Sequence, residues 1–322
     1  MSPNITVLTP VYNGEQYLAE CIESVRAQTR TDWDYIIVDN CSTDRSAEIA
    51  ERYASIDSRI RVIRCMEFVN VSRNFCRALE YINPASRYCK FVCADDLIYP
   101  QCLERMVAVA EKHPTAGIVS AYRMYGDHVS EDRLLPDTED FMSGREVLRR
   151  AMLDGVHVTG SQTTLLFTAD VVRSRKPFFD EVAFHSDTDA ALRTLLHKDL
   201  GFVHQVLTFS RVHPNTITAS YADRMNTYLS LFVDSLIRYG PQVLTKNEYR
   251  HAIRVRLRQY WWFLFKARLK PSRCKDKAFQ TFHNTKILHM LAELPGEDLE
   301  TRLILKSMRT LLSDRSSTFS IP

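Results

Sequence analysis

From Ile5 to Tyr122 short apolar runs alternate with stretches of helical periodicity, and no other feature confines the possible folds as tightly. Ile5–Val11, Tyr35–Val38, Ile60–Cys65, Tyr88–Cys93 and Gly117–Tyr122 read as strands. Between them, Leu18, Cys21, Ile22 and Val25 recur at helical spacing, as do Phe75, Ala78, Leu79 and Ile82. Asp44 is placed to cap the helix after the second strand, and the helix from Pro100 to His113 opens on a proline at its permitted first turn. This order predicts an α/β fold, a mostly parallel sheet flanked by helices.

Residues Gly126 to Phe141 are polar and acidic without a period and read as a mobile loop beside the sheet. A helix near Gly144–Leu153, a strand around Thr163–Phe167, a helix over Asp187–His197 and a strand over Phe202–Arg211 follow. After Pro214 the strand signals stop. Long helical patterns over Tyr221–Tyr239 and Thr245–Arg268, and two more before Ser313, predict a C-terminal helical appendage. A chain of 322 residues exceeds the roughly 250–300 at which one core stops growing. The expected division is a main domain over 1–219, with halves 1–125 and 126–219, and a helical region over 220–322.

A formal charge of +3 gives no bulk attraction for nucleic acid, so an anionic ligand must meet a local patch. The eight cysteines form no CxxC pair and no zinc-spaced cluster, and read as free thiols of a reducing compartment. The N-terminus lacks the basic-then-apolar pattern of a leader, and the longest apolar run, Tyr260–Phe265, is too short to span a bilayer. A cytoplasmic protein is expected.

In an open parallel sheet ligands bind beyond the carboxyl ends of the strands. Here those ends carry Thr9-Pro10-Val11-Tyr12-Asn13-Gly14, then Asp39-Asn40-Cys41-Ser42-Thr43-Asp44, then Asp95-Asp96. No glycine-rich loop is present to cradle phosphate through backbone amides, which also argues against a nucleotidyltransferase. A hard cation, Mg²⁺ or Mn²⁺, held by Asp95-Asp96 would neutralise a diphosphate instead.

These segments, with Tyr17-Leu18, Val71-Ser72-Arg73-Asn74 and Pro100 four residues after Asp96, together resemble the GT-A glycosyltransferases of family 2 over about the first 215 residues. The resemblance implies transfer of a sugar from a nucleotide diphosphate, with UDP-sugar favoured and dTDP-sugar open, to a hydroxyl of a saccharide or lipid-linked acceptor in glycan biosynthesis. By position, Pro10, Tyr12, Asp39 and Arg73 would hold the base, Asp95 the ribose and Asp96 the metal. A carboxylate can accept the imide N–H of a pyrimidine and an aromatic ring can stack on it. Asp39 equally fits a turn cap for Ser42 or Thr43, and Tyr12 a half-buried core tyrosine. Ser210-Arg211-Val212-His213 matches a segment near the diphosphate, with Arg211 toward phosphate and His213 toward the metal or phosphates.

Asp187, in His185-Ser186-Asp187-Thr188-Asp189, occupies the position of the family's general base, while a helix N-cap is the plainer reading of the same residue. Asp189 is expected to brace the helix start. The expected mechanism is a single displacement with inversion. Two departures stand out: Asn40-Cys41 where many relatives have Asp-Gly, and Cys93 and Ser186 where they carry acids. Asparagine can adopt turn geometry, so the loop is expected to persist. The missing acids keep open a scaffold that binds sugar nucleotide without catalysis. Finally, Arg250, Arg254, Arg256 and Arg258 precede Tyr260-Trp261-Trp262-Phe263-Leu264-Phe265-Lys266. That helix can lie peripherally on an anionic membrane, or pack Trp261, Trp262 and Phe265 against the catalytic domain or a second subunit of a homo-oligomer.

Overall fold

The computed structural model describes residues 3–130, 135–155, 160–181, 185–214, 216, 221–270, 276–294 and 299–312. The chain forms two compact units, residues 1–151 with 156–212, and residues 152–155 with 213–322.

The first unit is built on a ten-stranded sheet. Its strands are β1 (Ile5–Val11), β2 (Trp33–Asp39), β3 (Ile60–Arg64), β4 (Tyr88–Phe91), β5 (Leu97–Ile98), β6 (Ala116–Tyr125), β7 (His128–Ser130), β8 (Phe141–Met142), β9 (Leu166–Thr168) and β10 (Asp199–Ser210). The order is β3-β2-β1-β4-β9-β6-β10-β5, with β7 on β6 and β8 on β10. Strands β3, β2, β1 and β4 are mutually parallel because each crossover is a helix: α1 (Leu18–Arg26), α2 (Ser46–Ile56) and α3 (Val71–Leu79). All seven residues of β1 are buried, as a strand covered on both faces must be. Leu18, Cys21, Ile22 and Val25 are the buried face of α1, each apolar side chain contributing about 1.5–3 kcal/mol.

Beyond β4 the sheet turns mixed. The expected strand over 163–167 is a 3₁₀ turn at Gln162–Thr164 followed by β9, which runs antiparallel to both β4 and β6. Helix α4 (Cys102–Lys112) leads into β6, and β10 pairs parallel to it. The segment expected to be one loop from 126 to 141 is more ordered: Gly126, at φ +59, turns the chain so that β7 returns along β6, and Phe141–Met142 pairs with β10. Residues 131–134 of it lie outside the described residues. Helix α5 (Gly144–Asp154) needs its glycine, because a Cβ there would fall 2.0 Å from the Lys198 carbonyl oxygen. The short α6 (Ala169–Arg173) and α7 (Ser186–Leu195) complete the set.

The second unit holds α8 (Asp223–Met225), α9 (Thr227–Val243), α10 (Lys246–Arg268), α11 (Lys277–Glu293) and α12 (Leu299–Leu312). A reciprocal Thr245/Glu248 capping box starts α10. In its core His283 donates from Nε2 to the Met225 carbonyl at 3.0 Å, which leaves Nδ1 to accept from the Tyr260 hydroxyl. The seven described cysteines are unpaired, and Cys274 lies outside the described residues.

Candidate active site

Parallel register sets Val11 opposite Asp39, so Tyr12 and Asn40 leave the sheet side by side. Pro10 lies past the last β4 partner of β1, so its missing N–H interrupts no ladder bond. The two turns are then laced together. Asn13, at φ +51, accepts from the Thr43 N–H at 2.8 Å and donates its own N–H to Ser42 Oγ at 3.0 Å. The Gly14 N–H donates to Ser46 Oγ at 2.8 Å and the Glu15 N–H to Asp44 Oδ2 at 2.9 Å. The other Asp44 oxygen accepts from the Ser46 N–H at 2.9 Å, but the N-cap position of α2 is Arg45, so Asp44 braces the helix start from one residue before the cap it was expected to form.

The turn does persist, by another route than expected: Cys41, in the glycine position, takes the left-handed conformation at φ +61 and donates its thiol to the Cys65 carbonyl at 2.9 Å. Asn40 is instead buried, donating to the Val69 carbonyl at 2.8 Å and accepting from the Val69 N–H at 3.1 Å. This clamp holds the 65–70 segment so that Phe68, which the sequence did not flag, meets Tyr12 with ring centroids 4.8 Å apart. Both rings are about half exposed, forming an aromatic lip. Asp39 is buried, with both oxygens 3.3 Å from the Ser42 N–H, so the turn-cap reading describes a contact it makes.

Asn70 caps α3 by accepting from the Arg73 N–H at 2.9 Å. The Arg73 guanidinium stays half exposed, 4.0 Å from Glu181. One residue earlier, the Ser72 hydroxyl lies 2.8 Å from that of Ser186, which joins the start of α3 to the start of α7. Asp187 follows, partly exposed, with Oδ1 accepting from the Thr188 N–H at 2.7 Å. Asp189 is buried in the first turn of α7, where it was expected to brace the helix start, and pairs with Arg193 at 2.6 Å.

Asp96 is 5% exposed and held on both oxygens. Thr163 donates to Oδ2 at 2.6 Å and Ser210 at 3.4 Å, while the Arg211 N–H donates to Oδ1 at 3.1 Å. Burial, then the neighbouring charge of Asp95, push its carboxyl up to about 7. A carboxylate offers about four lone-pair positions, so one remains on Oδ1. Arg211 donates to the Asp95 carbonyl at 3.0 Å and to Glu20 at 2.8 Å, and its guanidinium lies 4.5 Å from the Tyr17 ring centroid. In this structure it braces the acidic turn. His213 belongs to the second unit, which comprises residues 152–155 and 213–322.

Behind the turn lies a residue the sequence reading passed over. Lys90 of β4 is fully buried, with Nζ donating to the Thr163 carbonyl at 2.5 Å and the Leu165 carbonyl at 3.2 Å. It thus fixes the turn whose Thr163 hydroxyl also accepts from the Cys93 N–H and holds Asp96. Burial lowers the ammonium pKa below its usual value. The folded chain therefore binds fewer protons at Lys90 than the unfolded chain between the folded and unfolded pKa values, so raising pH toward 10.5 favours folding there. Relative to Lys90→Met, the wild type should gain stability in urea melts as pH rises toward 10.5; parallel pH profiles would show that the buried ammonium carries no penalty.

A cavity of about 680 Å³ lies at the opposite, amino end of β1–β4, lined among others by Trp33, Asp34, Arg59 and Tyr81. Ligands of open α/β sheets bind at the carboxyl end, so the acidic edge is the better candidate.

A family model described as glycosyl transferase family 2 matches residues 6–175. The chain belongs to that family. Its fold is mixed α/β, of GT-A type, with a helical C-terminal part. Curated relatives include the putative teichuronic acid biosynthesis glycosyltransferase TuaG of Bacillus subtilis, 34% identical over 124 residues, covering 38% of this chain and 48% of that one. The chain spans 23%, 48% and 32% of the length of three curated relatives it matches. Among solved structures, S. aureus TarS 1–349 in complex with UDP-GlcNAc superposes with TM-score 0.67 at 15% identity, covering 97% of this chain and 90% of that one. The mannosyltransferase PcManGT of Pyrobaculum calidifontis in complex with GDP-Man and Mn²⁺ superposes with TM-score 0.56 at 15% identity, covering 97% and 85%. These two likenesses show the fold.

Proposed function

We propose that this family 2 enzyme transfers a sugar, with inversion, from a nucleotide diphosphate sugar to a hydroxyl of a saccharide or lipid-linked acceptor in surface polysaccharide or glycan biosynthesis. The observation that carries the reading is the braced acidic edge, where Asp39 ends β2 and the Asp95-Asp96 turn follows β4, the two parallel strands that flank β1, without a glycine cradle. In this reading the aromatic lip of Tyr12 and Phe68, with Pro10, Asp39 and Arg73, receives the base, UDP before dTDP. Asp95 meets the ribose and Arg211 the phosphates. TuaG's name points to polysaccharide work, and the UDP-GlcNAc and GDP-Man of the two structural neighbours point to a nucleotide sugar.

A divalent cation fits the donor set only in part from the protein side. Among the described residues no cluster of three or more His, Cys, Asp or Glu can hold a metal. Two adjacent carboxylates with an acceptor position left on Asp96 Oδ1 suit a hard ion, Mn²⁺ or Mg²⁺, that takes its other ligands from diphosphate and water. Asp96, with Asp95 beside it, would hold it. Such an ion supplies Lewis acidity to the departing diphosphate. Asp187 takes the acceptor proton, and Asp39 and Arg73 orient the donor.

The test is release of nucleoside diphosphate from a panel of sugar nucleotides, with Mn²⁺ or with EDTA. Cation-dependent release from one donor is expected. Full turnover in EDTA would remove the cation from the reading, and donor binding without turnover across the panel and a broad acceptor set would make the chain a binding scaffold.

A further inference from the structure

Charge is divided unevenly along the chain. Residues 1–212 carry 24 Lys and Arg against 30 Asp and Glu, whereas residues 213–322 carry 18 against 9. The helical unit is therefore strongly basic, and a surplus of that size favours an anionic partner.

Within this unit α10 and α12 run side by side in the same direction. Arg258 pairs with Glu300 near the start of the shared span, and Arg268 donates to the Leu311 carbonyl at 2.6 Å near its end. The packing of α10 falls to Leu257, Tyr260, Leu264 and Ala267, which are buried. Trp262 stays outside at 54% exposure, joined on the same two helices by Leu269 at 66%, Leu299 at 73% and Leu303 at 56%. Trp261 and Phe265 stack with centroids 5.3 Å apart and planes 8° from parallel, and Trp262 meets Phe265 edge-on. The three rings thus make one ordered wedge. Exposed Lys266, Lys270, Arg302, Lys306 and Arg309 lie in or directly after the same two helices.

We propose that this face of α10 and α12 docks on an anionic lipid surface, the cations meeting headgroups while Trp262, Leu269, Leu299 and Leu303 enter the interfacial zone. Both halves of the pattern are then used, since indole rings and the stems of Lys and Arg favour that zone. No helix among the described residues is long and apolar enough to cross a membrane, so the contact is peripheral. The inference does not rest on the proposed reaction, because partition is read without turnover.

Sedimentation of the full chain with vesicles of phosphatidylcholine alone, and of phosphatidylcholine mixed with phosphatidylglycerol, tests it. Binding to the mixed vesicles only, weakened by high salt, is expected. The double variant Lys266→Glu/Lys306→Glu should lower partition by about tenfold or more. Trp262→Ser/Leu303→Ser should lower it as well, with both variants melting near the wild type. Absent binding at low salt, equal binding to neutral vesicles, or undiminished binding by both variants overturns the proposal. So does a dimer in light scattering that the charge reversal disperses while vesicles capture nothing, which would assign the face to a second copy.

Discussion

Asp187→Asn is expected to slow glycosyl transfer by roughly 10²–10⁴-fold, the range a positioned general base contributes, while leaving donor affinity and thermal stability close to wild type. The substitution isolates the chemistry because an amide oxygen can still accept the Thr188 N–H that Asp187, the second residue of α7 after the His185 N-cap, engages. The Ser72–Ser186 contact one residue earlier is untouched. What the amide cannot do is take a proton from an attacking alcohol. Donor titration by calorimetry beside single-turnover rates separates the effects; a parallel fall in donor affinity would move Asp187 out of the base role and into the donor pocket.

Asp96→Ala carries the second large effect. Turnover that depends on Mn²⁺ or Mg²⁺ should fall by roughly 100-fold or more, since Lewis-acid stabilisation of a leaving diphosphate amounts to several kcal/mol. The alanine also strips three donors of their acceptor, Thr163, Ser210 and the Arg211 N–H, so some loss of stability accompanies it. Thr163→Val separates the two causes. It keeps the carboxylate and removes one brace, and should weaken cation affinity by about 10–100-fold, the usual scale for a group that orients a ligand. If Asp96→Ala melts earlier yet retains its cation response, Asp96 is a bracket for the turn and the cation belongs to Asp95.

The parallel half of the fold was legible because β1, β2 and β4 are buried almost throughout and α1 and α4 are amphipathic, so periodicity and burial agree there. The second half was harder. A run such as Thr163–Phe167 looks apolar whether it pairs parallel, pairs antiparallel or winds a 3₁₀ turn, and tertiary pairing with β4 and β6 decides. The hairpin after Gly126 hid for a different reason, since β7 is three residues of exposed and half-exposed side chains with no pattern to detect.

At the site, the acids at strand ends announce themselves by position. Their supports do not: Thr163, Ser210 and Glu20 come from distant segments and become visible only when β9 and β10 fold beside β4 and β5. Lys90 did leave a signal, a lone cation inside the strand Tyr88–Phe91, whose four residues are all buried. Asn40 shows the limit of reading a motif by likeness. Replacing an acid with an amide looked like a loss, yet the amide both donates to and accepts from Val69, which an ionised carboxylate cannot do.

The lacing of residues 13–15 to residues 42–46 has an evolutionary consequence. Each rung joins a backbone N–H of one turn to a side chain of the other, so inserting or deleting a single residue in either would shift every rung out of step at once. Natural variants of this cradle should therefore change by substitution at fixed length, and new donor preferences should arise in the separately anchored stretch around Phe68, where length can drift without unzipping the pair.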